Sequence, residues 1–191
     1  MPPRKSAGKR KILAAGRFLQ LVDEAGWEYA ERVGVTGIVA IVPITREQEI
    51  VLIEQYRPAV GMRVIEIPAG LAGDQPGSES EAFTKAARRE LLEETGYRAH
   101  KLEFLFRGPP SAGMSSEMID FYLAKNVRRV TDGGGDEHEE IQVHVVPLDE
   151  CAEWLRKKVT KRRCIDPKVY TGLLFAIAAV SGGLQDATVR S

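Results

Sequence analysis

Ten consecutive residues, Val35 to Ile44, carry no charge and almost no polarity. A strand of that composition has no face suited to water, so it must be covered on both sides. That requirement alone demands a layered fold with the strand in the middle. Ile50 to Tyr56 reads as its neighbour after the polar turn Thr45-Arg46-Glu47-Gln48, and Val64 to Ile67 as a short strand ending at Pro68-Ala69-Gly70. Further strands are expected at Leu102 to Phe106, at Met118 to Ala124, and from Ile141 through the alternating Val143 and Val145. Helices are expected over Glu79 to Thr95, Leu148 to Val159 and Pro167 to Ser181. Strands grouped in the middle with helices around them point to an α+β, helix-on-sheet-on-helix sandwich. Ahead of it, Phe18 to Val22 and Trp27 to Val33 read as a hairpin turning near Gly26. The chain thus divides into a flexible basic tail at 1–11, an N-terminal β-arm at 12–34 and a main domain at 35–191.

Lys and Arg number 27, as do Asp and Glu, so the net charge is zero. Nothing global favours nucleic acid or an anionic membrane as a partner, and phosphate binding must come from local clusters. Lys157-Lys158 and Lys161-Arg162-Arg163 form one small basic cluster. The apolar run at Leu173 to Val180 is too short to span a bilayer. Met1 to Lys11 has no apolar stretch behind it and does not read as a secretory signal. The two cysteines, Cys151 and Cys164, make no disulfide framework and are expected as free thiols in a reducing cytoplasm.

Chemistry concentrates in Arg89-Glu90-Leu91-Leu92-Glu93-Glu94-Thr95-Gly96-Tyr97. On a helix, positions 90, 93, 94 and 97 share one face, which crowds three carboxylates into a stripe. Their repulsion is unfavourable unless positive charge sits among them, and hard cations such as Mg²⁺ take oxygen ligands of this kind. Arg89 can orient one glutamate by a charge-assisted pair, while Ala87 and Leu91 face the sheet. Gly96 supplies a helix stop, and Ser78 with Glu81 fits a capping box. Glu-x-x-Glu-Glu alone would be read as a solvated acidic face.

With Glu81 eight residues before Arg89, the set resembles the Nudix box, Gly-x5-Glu-x7-Arg-Glu-U-x-Glu-Glu-x-Gly-U, where U is bulky and apolar. Eight of its nine defined positions match. Gln75 stands where the box has its first glycine; Gly70 is the counterpart, with Gly73 to Gly77 read as an insertion before the helix. The flanks Gln55-Tyr56-Arg57-Pro58, Glu66-Ile67-Pro68-Ala69-Gly70 and Ile165-Asp166-Pro167-Lys168-Val169-Tyr170 resemble the ADP-ribose and ADP-sugar pyrophosphatase branch, from about Phe18 to Val180.

The resemblance implies a Nudix α/β/α sandwich with a mixed sheet. It implies hydrolysis of ADP-ribose or a related nucleoside diphosphate sugar, with Mg²⁺ as cofactor and Mn²⁺ as a substitute. The metal ligands it implies are Glu90, Glu93, Glu94, the backbone carbonyl of Ala69 and a loop glutamate. Arg57 would bind the diphosphate, beside Glu66. Trp27 would stack on the base with Glu28 and Arg32 near it, in a homodimer that exchanges the arm. The loop glutamate, base or further ligand, counts to Glu139, with Glu137 and Glu140 as rivals; His138 reads as a surface residue. Thr131 to Gly135 is expected to let that loop close. Ser111-Ala112-Gly113 departs from the branch's Pro-Gly, which keeps GDP-mannose open as a substrate. A Nudix fold that binds a nucleotide without cleaving it, or one that processes RNA, are the alternatives; intact Glu90, Glu93 and Glu94 oppose the first and zero net charge the second.

Overall fold

Val39 and Ile41 pack on one side of the apolar strand, and Ala40, Val42 and Ile44 on the other; all five are buried. That strand is β4 (Gly37–Thr45), the centre of the sheet in the computed structural model, which describes residues 9–73, 82–135 and 140–183. Around it lie β5 (Glu49–Arg57), β6 (Met62–Glu66), β7 (Ala69–Ala72), β8 (Tyr97–Arg98), β9 (Glu103–Gly108), β10 (Ile119–Arg129), β11 (Gln142–Pro147) and β12 (Arg163–Ile165). The sheet runs β12-β6-β5-β4-β10-β8 and is mixed: β10 runs parallel to β4, and β12 parallel to β6, while the other pairs are antiparallel. Helix α1 (Phe83–Thr95) covers one face with Ala86, Ala87 and Leu91, whereas α2 (Cys151–Lys158) and α3 (Pro167–Val180) cover the other with Leu155, Val169 and Leu173. The expected helix–sheet–helix sandwich is therefore the observed one.

Four strands were not legible as strands. β7 continues past Pro68-Ala69-Gly70 and pairs with β4. β8 and β12 are two and three residues long, held by β10 and β6 rather than by their own pattern. β1 (Lys11–Ala15) lies at the expected boundary between tail and arm; it pairs with β2 (Leu19–Glu24), which pairs in turn with β3 (Trp27–Arg32). The arm is thus a separate three-stranded sheet, and Lys11 belongs to it rather than to the tail. The arm touches the main domain where the Ala30 N–H donates to Met114 O and the Ser116 N–H to Ala30 O. β11 also departs from expectation: Val146, not Val143 or Val145, is its buried residue, because β11 lies at the sheet edge against β5.

Helix α1 begins at Phe83, after an extended Ala82 that makes no side-chain cap; Ser78 and Glu81 lie outside the described residues. Its end is as expected. Gly96 takes φ 75°, a left-handed conformation that suits glycine, and its N–H returns to Leu92 O. Asp166 caps α3 by accepting the Lys168 N–H at 2.7 Å, with Pro167 in the first turn. Both cysteines are free, and burial pushes the Cys151 thiol up to about 11. No helix among the described residues is long and apolar enough to cross a membrane.

Candidate active site

The amphipathicity of α1 puts its apolar side on the sheet and turns Glu90, Glu93 and Glu94 toward β7, where they line a cleft of about 570 Å³. Glu94 is only 4% exposed; its Oε2 accepts the Ala69 N–H at 3.0 Å. Arg89 holds not one glutamate but two: its Nη1 lies 2.8 Å from Glu90 and 3.1 Å from Glu93. The other end of the guanidinium donates to Leu71 O at 2.9 Å, which ties α1 to β7. Tyr97 leaves the stripe. The helix ends at Thr95, and Tyr97 is buried in β8 among the core residues under α1.

Gly70 explains how the helix approaches so closely. A Cβ built there would stand 2.0 Å from Glu90 Cδ, so the missing side chain is the space the carboxylate occupies. Three carboxylates on one wall, with a backbone strand opposite, are oxygen donors of the kind that a hard divalent cation takes. Among the described residues no three acidic, histidine or cysteine side chains converge on a single point. Glu94 is turned to Ala69, and Glu90 and Glu93 to Arg89; these contacts offset the repulsion within the stripe.

Cations face this wall. Arg57, at the end of β5, donates from Nε to Glu66 Oε2 at 2.8 Å, so the glutamate aims the guanidinium into the cleft. Arg32 reaches it from the arm, paired with Glu117. Lys168, next to the α3 cap and bonded to Asp166, lines it too. The one sequence signal for Lys168 is its place beside the Asp166-Pro167 start of α3. Glu117 was not anticipated, and nothing in its neighbours marks it.

Trp27 and Glu28 do not reach the cleft of their own chain: Trp27 is 63% exposed at the far end of the arm, and Glu28 is exposed beside it. Glu137, His138 and Glu139 lie outside the described residues. Glu140 is exposed, 3.8 Å from Arg63. Thr131 to Gly135, expected to let the loop close, is described up to Gly135, and the loop beyond it is not. The N–H groups of Val130 and Thr131 donate to Gly96 O, Gly134 to Glu94 O and Gly135 to Glu93 O, so this stretch is fastened to the end of α1. The basic cluster divides: Arg163 turns inward to Glu54, Lys157 pairs with Glu153 and Lys158 lies over Trp154, while Lys161 and Arg162 stay exposed.

On the opposite side of the sheet, Glu54 is fully buried. Its carboxylate meets Arg63 at 2.8 Å, Arg163 at 2.9 Å and His144 at 3.0 Å, joining β5, β6, β11 and β12. Burial by itself would raise this carboxyl, but the hydrogen bonds from His144, Arg163 and Arg63 outweigh it and hold the group below its usual range. Burial pushes His144 down, against the pull of Glu54.

A family model described as NUDIX domain matches residues 35–167. A methanol dehydrogenase activator of Bacillus methanolicus is 36% identical over 125 residues, covering 64% of each chain. An ADP-ribose pyrophosphatase of Bacillus subtilis is 34% identical over 133 residues, 69% of this chain and 67% of the relative. A GDP-mannose pyrophosphatase of Cronobacter sakazakii is 35% identical over 131 residues, 64% of this chain and 65% of the relative. The chain therefore matches about two thirds of the length of these relatives. A solved structure described as an ADP compounds hydrolase superposes with a TM-score of 0.68 at 22% identity, covering 94% of this chain and 95% of the other, which shows the shared fold.

Proposed function

Because the chain belongs to the NUDIX domain family, we propose that it hydrolyses the diphosphate bond of a nucleoside diphosphate sugar, with ADP-ribose the leading substrate. The observation that carries this reading is the pairing of opposites across one cleft. Glu90, Glu93 and Glu94 line it on α1, and Arg57, held by Glu66, lines the same cleft.

Glu90, Glu93, Glu94 and the carbonyl of Ala69 would hold the divalent metal, Mg²⁺ or in its place Mn²⁺. Such an ion supplies charge neutralisation on phosphoryl oxygens and a bound water of lowered pKa. Arg57 would bind the diphosphate through its guanidinium fork, whose geometry matches phosphate oxygens. Arg32 and Lys168 add positive charge along the same cleft. Glu139 would accept a proton from the attacking water, with Glu137 and Glu140 as alternatives for that role. Water adds to one phosphorus as the bridging P–O bond breaks, leaving AMP and ribose 5-phosphate. Trp27 and Glu28 would serve the base-binding part of a partner's site in a homodimer. The apolar side chains that the arm leaves exposed, Ile12, Leu13, Leu19 and Leu21, support that arrangement.

Ser111-Ala112-Gly113 and the similarity to a GDP-mannose pyrophosphatase favour GDP-mannose as the second substrate. The test is a panel of ADP-ribose, ADP-glucose, GDP-mannose, NADH and diadenosine polyphosphates with Mg²⁺, products identified by mass. AMP and ribose 5-phosphate from ADP-ribose at the highest kcat/KM is the expected result. Release from GDP-mannose alone would move the reading to the second substrate, and no release from any compound would refute hydrolysis.

A further inference from the structure

A second cleft, of about 620 Å³, opens among β8, β9, β10 and the β4–β5 turn, and shares no lining residue with the cleft that holds Glu90 and Glu94. Five of its lining side chains are full cations: Arg46, Arg98, Lys101, Lys125 and Arg128. One carboxylate, Glu103, answers them, and it is taken up by Lys101 at 3.2 Å and Lys125 at 4.0 Å. In a chain whose net charge is zero, this is a strong local excess.

The backbone forces two of these charges together. Arg98 and Arg128 are direct partners in the β8–β10 ladder, so their side chains leave the same face of the sheet. Like charges placed opposite one another destabilise a strand pair. Among the described residues neither guanidinium has an ion pair or hydrogen bond to relieve the repulsion. Beside them the β10 ladder slips between Lys125 and Val127, and Asn126 takes φ 55°. A bulge of this kind re-aims side chains, and here both Lys125 and Asn126 line the cleft.

We propose that this cleft is a binding site for a short chain of phosphates, such as inorganic tripolyphosphate or the phosphates of a nucleoside triphosphate. The ligand must carry several negative charges close together, because it has to answer two facing guanidinium forks and the surrounding amines at once. Phosphate oxygens suit the forks, which donate in bidentate fashion. The lining holds no Phe, Tyr or Trp, and its single ring is the imidazole of His100. A row of aromatic platforms for successive nucleobases is therefore missing, which sets this cleft apart from single-strand nucleic-acid grooves.

The test is calorimetric titration of the full chain with tripolyphosphate at 0.15 M salt without Mg²⁺, repeated with ATP and with a single-stranded RNA oligonucleotide. The wild type should bind tripolyphosphate and ATP within threefold of one another. Arg98→Ala with Arg128→Ala should weaken both at least tenfold while ADP-ribose hydrolysis keeps its KM. Lys101→Gln with Lys125→Gln, which leaves the β8–β10 pair intact, should weaken binding in the same direction if the first variant fails to fold. Arg57→Ala should leave tripolyphosphate affinity unchanged. No binding by the wild type, loss of binding in Arg57→Ala instead, ATP binding without tripolyphosphate binding, or tighter binding of RNA with the same dependence on Arg98 and Arg128 would each overturn the proposal.

Discussion

Replacing Gly70 by alanine alters no proposed metal ligand and no charge, yet it should disable the site. The backbone at Gly70 is not left-handed, so alanine fits its conformation. Its Cβ, however, would stand 2.0 Å from Glu90 Cδ and 2.3 Å from each carboxylate oxygen. Ordinary contact begins near 3.4 Å, so the carboxylate must retreat by roughly 1.4 Å. That carboxylate is the end of a flexible side chain, and the fold should survive with the melting temperature within a few degrees. Misplacing a reacting group by about 1 Å can cost on the order of 10²-fold. The expected result is therefore a fall of about a hundredfold in kcat/KM for ADP-ribose, with a higher Mg²⁺ concentration at half-saturation. Steady-state kinetics across an Mg²⁺ titration reads both quantities. Gly108→Ala, whose Cβ would make ordinary contact with Phe106 at 3.5 Å, is the control and should be silent. A folded Gly70→Ala enzyme within threefold of wild type at every Mg²⁺ concentration would refute the argument.

Glu94→Gln can still accept the Ala69 N–H but loses a ligand charge, so kcat should fall about 10²-fold or more with the melting temperature nearly unchanged; full activity at saturating Mg²⁺ would remove Glu94 from the metal site. Arg57→Ala should raise KM for ADP-ribose about tenfold, since charge-assisted hydrogen bonds are worth roughly 1.5–3 kcal/mol, and an unchanged KM would deny it the diphosphate. Glu54→Gln leaves Arg63, Arg163 and His144 around an uncharged group and should cost about 3 kcal/mol in denaturant unfolding, near the low end for a broken buried pair because the arginines are partly exposed. Both Glu54 and His144 are held below their ordinary values, so the unfolded chain binds more protons than the folded one; stability should fall as pH drops below about 6.5, through His144 first and Glu54 at lower pH, and His144→Gln should flatten the first step of a thermal pH profile. Sedimentation should find a dimer, and Trp27→Ala should raise KM by about tenfold while remaining dimeric, in line with roughly 1–3 kcal/mol for an aromatic stack; a fully active monomer, or an unchanged KM, would sink the respective half of that reading.

Local pattern was enough wherever one residue's neighbours in the chain decide its environment. The uncharged run at Val35 to Ile44 had to be a covered strand, because no water-facing side exists in it. The helix stripe of Glu90, Glu93 and Glu94 followed from a 3.6-residue period, and the stop at Gly96 from its freedom to take positive φ. The resemblance of their flanking segments implied substrate roles for Arg57 and Glu66, whereas their contact across β5 and β6 is a matter of sheet register.

Other features have causes remote in the chain, and no reading of local pattern could supply them. β7, β8 and β12 are strands because partners with free ladder positions lie beside them, not because their residues alternate. Thr131 to Gly135 reads as a stretch free enough to let the next loop close, since three of its residues are glycine; the backbone carbonyls at the end of α1 hold Gly134 and Gly135. Lys161-Arg162-Arg163 looked like a surface charge run, but Glu54, more than a hundred residues earlier, draws Arg163 inward because a buried carboxylate needs cations. The opposition of Arg98 and Arg128 exists only once β8 is laid against β10. Sequence period decided which face each residue takes, while strand register and layer packing decided what that face meets.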